Sequence, residues 1–250
     1  MAALASGGIG RAWQQPDGVV QLRAPDEAGV AELRFVLALD DDHSEFLERF
    51  RDDPLLGRAL PQLRGVRPVR LATVTHSLLR AVCGQLIQAK LARAIERRVI
   101  HAATPVLDGT RLNTPPTPAS FARFAPAELR RLGLGARRGA TLVRLCRSVN
   151  LERLRSLPTA AAADRLERER GLGPWSVGVV CLEGLGRFER GVTGDLGLVK
   201  LCSALRGRRV EAWETAELLE PYGEWAGLAS VYLLSAHRLG LVPIPQRAAA

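Results

Sequence analysis

The sequence predicts a mostly α protein, α+β overall, in which a small N-terminal α/β unit precedes an all-helical body. Three observations predict this. From Thr75 onward the apolar residues recur at steps of three and four, the period of a helix face. Strand-like alternation is confined to the first 70 residues. Prolines 54, 61 and 68 punctuate the chain between the two portions.

Taken in order, residues 19–23 make a short strand candidate, and Leu33, Phe35, Leu37 and Leu39 alternate with other residues as a half-buried strand would. Asp40, Asp41 and Asp42 offer a helix start, followed by an amphipathic stretch with Phe46, Leu47 and Phe50. Leu79, Val82, Leu86 and Ala89 then step by three, four and three, which predicts one long helix running to about Ile100. Residues 104–118 hold four prolines and read as a loop. Further helices are expected over 126–132, 136–149, 159–169, 174–185, 195–205, 213–219 and 223–239.

Composition bounds what such a body can do. The 250 residues carry 47% hydrophobic residues and a net charge of +9, which excludes a disordered or collagen-like chain. Of the 35 basic residues only Lys90 and Lys200 are lysines, so Schiff-base chemistry has two candidates. Residues 130–155 hold eight arginines against Glu152 alone. Such a block suits phosphate, because guanidinium forks match its oxygens and binding releases counterions; solvated helix faces explain it equally well. The four cysteines are widely spaced, without a C-x-x-C pair or histidines at zinc spacing, and read as reduced thiols near a core, with no metal site. No export signal marks the start, and no apolar run nears the roughly 18 residues of a spanning helix. A cytoplasmic, monomeric protein without a membrane partner is expected.

The segment Gly171-Leu172-Gly173-Pro174-Trp175-Ser176 lies between two helix candidates. Its glycines permit positive φ and close approach of a ligand to backbone amides, and Pro174 suits a first helical turn. The outcome is a tight hairpin whose second helix opens with free amides able to hold a phosphate, although such turns are more often plain connections, and Gly133-Leu134-Gly135 is another. Nineteen residues after Ser176, Gly194-Asp195 puts a carboxylate at the mouth of a further helix. A lone Asp there is ordinarily an N-cap.

Together with Leu79-Arg80-Ala81-Val82-Cys83-Gly84-Gln85-Leu86-Ile87 and Glu220-Pro221-Tyr222-Gly223-Glu224-Trp225, these motifs resemble, in order, the helix-hairpin-helix DNA glycosylase superfamily, nearest its DNA-3-methyladenine glycosylase II branch. The likeness covers about residues 60–240. It implies a shortened N-terminal α/β domain over 1–70, a helical lobe with the hairpin over 71–187, and a second helical lobe over 188–250 carrying the catalytic Asp. It implies that Asp195 is that aspartate, stabilising the positive charge that builds on the sugar as a base departs and orienting the attacking water. Leu86 matches the apolar wedge that fills the gap left by a flipped base, though its place on an apolar stripe also fits a core residue. Trp175 matches an aromatic of the base pocket, where an indole face favours cationic alkylated purines. Gln85 is implied in the pocket or at the DNA, and Gly171, Gly173 and Ser176 in a phosphate-binding hairpin, near which family members place a monovalent cation.

Departures and absences refine the resemblance. Glu169 and Arg170 stand where the branch often has an apolar residue and Pro, and Val179 and Leu234 occupy pocket positions where aromatics are expected. Bifunctional relatives carry a Lys before the hairpin Ser/Thr, where this chain has Trp175. No cysteines follow Cys202 to hold an iron–sulfur cluster. The expectation is a monofunctional, cofactor-free enzyme of base excision repair that hydrolyses the N-glycosidic bond of alkylated purines (3-methyladenine, 7-methylguanine type) in damaged double-stranded DNA by base flipping, leaving an abasic site. The alternatives are a DNA-binding protein that has lost catalysis, and a relative acting on oxidised or deaminated bases.

Overall fold

The computed structural model describes residues 1–244. A three-stranded antiparallel sheet opens the chain, in the order β1 (Ala2–Ala3), β2 (Ile9–Gln14), β3 (Val20–Arg23), with Arg11 opposite Arg23 and Gln14 opposite Val20. The strand expected around Leu33 to Leu39 is instead helical: α1 spans Glu27–Val36. Asp26 caps it by accepting from the Gly29 amide at 2.8 Å, and Gly29 and Leu33, four apart, form its buried side. The i, i+4 pair and the cap outweighed a two-residue alternation that had no strand partner. The body follows with α2 (Ser44–Arg49) and the central α3 (Val74–Gly84).

Helix α3 is buried along most of its length because helices pack on it from several sides: α4 (Ala89–Ala103), α7 (Ala136–Ser148) and α9 (Pro174–Val179) with its continuation. Thr73 caps α3 through the His76 amide, and the Glu152 carboxylate takes the Val74 and Thr75 amides at 2.9 and 3.0 Å. Three otherwise orphaned donors at the start of a buried helix thereby find acceptors. The long helix expected over 79–100 is broken. Helix α3 stops at Gly84, the chain turns through residues 85–88, and α4 starts at Ala89, which is exposed. A Cβ on Gly84 would come within 2.5 Å of the Trp175 ring, so this helix end is shaped to receive the indole.

The expected loop over 104–118 is present, closed by a bridge between Val106 and Asn113. Short helices α5 (Pro118–Ala122) and α6 (Pro126–Arg131) lead to α7, and α8 (Thr159–Glu167) leads to the hairpin. Helix α9 widens into a π-turn over Val180–Leu185 that ends at Gly186 with φ +69°. Beyond it lie α10 (Leu196–Arg206), α11 (Thr215–Leu219) and α12 (Ala226–Arg238), close to expectation. One continuous core runs from Phe46 on α2 to Val242, and all four cysteines are buried free thiols within or beside it. Burial pushes Cys83, Cys146 and Cys181 up to about 12. Among the described residues no helix is long and apolar enough to cross a membrane.

Candidate active site

The hairpin forms as the glycines demand. Gly171 takes φ +96°, a conformation costly for any side chain, and a Cβ there would also strike the Thr141 hydroxyl at 2.4 Å. Gly173 is extended (φ −107°) and starts α9, with open space where a Cβ would stand. Beneath the hairpin, Glu169 is anchored by Arg144 and Arg165. Burial works against its carboxylate, but the two guanidinium hydrogen bonds prevail and leave its pKa lowered. This ionic anchor is why a charged residue stands where an apolar one was expected.

Trp175, on the first turn of α9, reaches across to the start of α10. Its indole Nε1 donates to Asp195 Oδ2 at 3.0 Å, while Asp195 Oδ1 accepts from the Gly197 amide at 2.7 Å and caps α10. The turn before Asp195 is held by the Gly194 amide donating to the hydroxyl of buried Thr215 at 2.7 Å. Both carboxylate oxygens are therefore positioned, and the group is half-buried. The N-cap and catalytic readings of Asp195 are compatible, because one oxygen serves the helix and the other faces the indole.

Asp195 and Trp175 line a cavity of about 530 Å³, within the range of small-molecule sites. Val179, Leu182, Val192 and Ser230 make its buried floor, and Leu234 of α12 closes one side, packed so near Gly197 that a Cβ there would lie 2.5 Å from its methyl. At the mouth stands Leu86. It is 90% exposed with φ +58°, so it lies on no helix stripe and in no core. The break between α3 and α4 thrusts an apolar side chain into solvent at the cavity mouth, at a cost in both hydration and backbone strain.

Five of the anticipated residues thus meet around one space: Asp195, Trp175, Val179, Leu234 and Leu86. Two others do different work. Gln85 is not in the lining; its Nε2 donates to the Gly171 carbonyl at 2.9 Å and to Ser176 Oγ at 3.0 Å, fastening the Leu86 turn to the hairpin. Ser176 is only 2% exposed, and its Oγ accepts from Gln85, so the hydroxyl lies beneath the hairpin rather than at its surface. The late Trp225 is likewise structural, stacked on Phe188 at 6.0 Å, while Tyr222 donates to Asp53 at 3.1 Å. Glu183 and Arg80 also line the cavity and were not anticipated there, and Lys200, one of the two lysines, joins them. Trp175, Val179 and Glu183 recur every four residues, and a charge inside the apolar run Val177 to Leu185 was the available signal.

No protein-family model matches the chain. A curated DNA-3-methyladenine glycosylase from Bacillus subtilis is 25% identical over 205 residues, covering 78% of this chain and 67% of that protein. Among solved structures, the 3-methyladenine DNA-glycosylase from Archaeoglobus fulgidus matches with a TM-score of 0.75 at 22% identity, covering 92% of this chain and 82% of that one. The chain carries the helix-hairpin-helix DNA glycosylase fold. An 8-oxoguanine glycosylase/lyase from Clostridium acetobutylicum, in complex with double-stranded DNA, shares that fold with a TM-score of 0.73 at 17% identity over 92% of this chain and 88% of its own.

On this glycosylase fold seven of the eight arginines of the block fall into two groups, with Arg138 half-buried between them. Arg144, Arg147 and Arg155 are committed internally: Arg144 to Glu169 and the Arg170 carbonyl, Arg147 to the Ala122 carbonyl, and Arg155 to the Gly184 and Leu71 carbonyls with its guanidinium 4.4 Å over Phe35. Burial lowers the Arg155 pKa accordingly. Arg130, Arg131, Arg137 and Arg153 are exposed, and their guanidinium groups make no hydrogen bond among the described residues. A groove lined by Arg137, Arg144 and Arg170 ends at Gly171, so exposed positive charge adjoins the hairpin.

Proposed function

We propose that the protein is a monofunctional DNA glycosylase that hydrolyses the N-glycosidic bond of alkylated purines in damaged double-stranded DNA, leaving an abasic site. The observation that carries this reading is the Trp175–Asp195 pair at the wall of a cavity whose mouth holds the exposed Leu86. A base turned out of the duplex would enter the cavity, with Leu86 occupying the vacated space in the stack. The indole face of Trp175 would stack on the base, and its N–H keeps Asp195 aimed. As the base leaves, the sugar becomes oxocarbenium-like, and a fixed carboxylate stabilises it and orients water toward the anomeric carbon. An alkylated purine is already cationic and departs readily, so no strong general acid is required. The groove of Arg137 and Arg170 beside Gly171 suits a phosphate of the duplex.

The names of the Bacillus subtilis and Archaeoglobus fulgidus relatives support alkylated bases as substrates, and the duplex bound to the Clostridium acetobutylicum enzyme supports double-stranded DNA as the partner. Trp175 in place of a hairpin lysine supports hydrolysis without strand cleavage. Lys200 is exposed at the cavity rim, which makes the lyase question an experimental one. Methylated duplex DNA incubated with the protein should release 3-methyladenine or 7-methylguanine and leave alkali-labile sites, while borohydride should trap no covalent protein–DNA adduct. Absence of release from any alkylated duplex would overturn the glycosylase reading. A borohydride-trapped adduct lost in Lys200→Ala would overturn the monofunctional one.

A further inference from the structure

Behind Asp195 and Trp175 the cavity wall carries a second carboxylate, Glu183, on the π-turn that follows α9. Its Oε2 accepts from Arg80 Nη1 at 2.8 Å, and Arg80 also donates to Glu96 at 3.1 Å. Glu96 is in turn held by Arg93 at 2.7 Å and His76 at 3.0 Å. This chain of ion pairs locks Glu183 in one orientation. Its Oε1 accepts no hydrogen bond among the described residues, yet it is not sealed: the side chain is 22% exposed, and it borders the cavity. Each oxygen of Asp195 already accepts one bond, from Trp175 and from Gly197. Glu183 Oε1 is therefore the lining carboxylate oxygen of this pair that accepts nothing among the described residues and can receive an occupant.

The sign of charge changes from mouth to wall. Lys200 and Arg238 are exposed at the rim, where a polyanionic backbone would pass, whereas the inner cation Arg80 is already paired with Glu96 and Glu183, and the exposed Arg93 with Glu96. Burial pushes the Glu183 carboxyl up, with Arg80 opposing it. A cation admitted to the cavity would draw it back toward the ionised form.

We propose that Glu183 is the group through which this cavity selects a positively charged base, by an ion pair and by Oε1 accepting a hydrogen bond from the N–H edge of the occupant. The proposal rests on the glycosylase reading for its substrate but can be tested without DNA. The probes are 3,9-dimethyladeninium, a permanent cation with a methyl group in place of the sugar, and neutral 9-methyladenine, which offers the same amino group. Binding is followed by quenching of tryptophan fluorescence. The wild type should bind the cation about ten-fold more tightly than the neutral base, and Glu183→Gln, which keeps an acceptor for Arg80, should reduce that ratio to about two-fold. Base release should follow, with Glu183→Gln losing 7-methylguanine excision more than excision of neutral hypoxanthine. Equal binding of the two probes by the wild type overturns the proposal, even if the variant fails to fold. So does a preference that survives in Glu183→Gln and disappears in Trp175→Phe. A wild type that prefers the cation but releases no base from damaged duplex overturns the glycosylase reading and leaves this one standing.

Discussion

The indole N–H of Trp175 and the carboxylate of Asp195 meet at 3.0 Å, joining the first turn of α9 to the cap of α10 across twenty residues of chain. This single bond couples the hairpin to the group expected to do the chemistry. Asp195→Asn should lower base release about 100-fold or more, the scale for removing a charge fixed against a developing cation. Trp175→Phe leaves the carboxylate but frees Oδ2 and thins the contact with Gly84, and should cost about ten-fold in release and about 1 to 2 kcal/mol in stability. Single-turnover release from methylated duplex compares the two. Equal rates for wild type and Asp195→Asn would remove Asp195 from the mechanism.

Leu86 is an exposed leucine in the left-handed region, so the fold gains nothing visible from it. Leu86→Gly should raise stability by about 1 kcal/mol by relieving the backbone. The same change should weaken binding to a duplex bearing an abasic site, because nothing would fill the stack. Melting temperature and fluorescence anisotropy should therefore move in opposite senses.

The hairpin glycines should separate by substitution. Gly171→Ala meets both a φ of +96° and the Thr141 hydroxyl, and should destabilise the fold by about 2 kcal/mol. Gly173→Ala has an ordinary φ and open space, so the fold should be unaffected while duplex affinity falls. Denaturant melts of both variants, paired with salt-dependent DNA titrations, distinguish a structural glycine from one that faces a ligand.

Acid should loosen the support of the Asp195 turn. Glu214 receives Arg208 and the Glu211 amide, which hold its carboxyl down at about 2, and it also takes Arg206 from the end of α10. A lowered carboxyl stabilises the fold above its ordinary value of 4.5, and that contribution disappears as the pH falls toward 2. Glu214→Gln should melt below the wild type at pH 7, and the gap should close between pH 4.5 and 2. A gap that is constant across this range would mean that the ion pairs contribute nothing.

The thiols Cys83, Cys146 and Cys181, pushed up to about 12 by burial, should stay protonated and unreactive toward a disulfide reagent at pH 8 until the protein is unfolded. Rapid native labelling would contradict the core described for α3, α7 and the π-turn.

Much of the architecture was legible because helices announce themselves locally. Helices α6, α7, α10 and α12 fall within a few residues of expectation, since apolar period, caps and glycine stops are all near neighbours in the chain. The failures share a cause. The alternation from Leu33 to Leu39 read as a strand because the partner strand it lacked is a tertiary fact, and the stripe from Leu79 to Ala89 read as one helix because nothing local shows Trp175 pressing on Gly84. Ser176 read as a surface hydroxyl, and only the fold buries it beside Gln85, ninety-one residues away in the chain.

The sequence by itself determined a helical body, a glycine hairpin, an aspartate at a helix mouth and the absence of a lysine beside it, all of them matters of residue type and short spacing. Only the tertiary structure decided that Leu86 stands free, that Gln85 is a fastener, that three arginines of the basic block are spent internally, and that Glu183 faces the same cavity as Asp195. Burial, charge pairing and the direction of a side chain depend on what the rest of the chain brings alongside, and no local period encodes that.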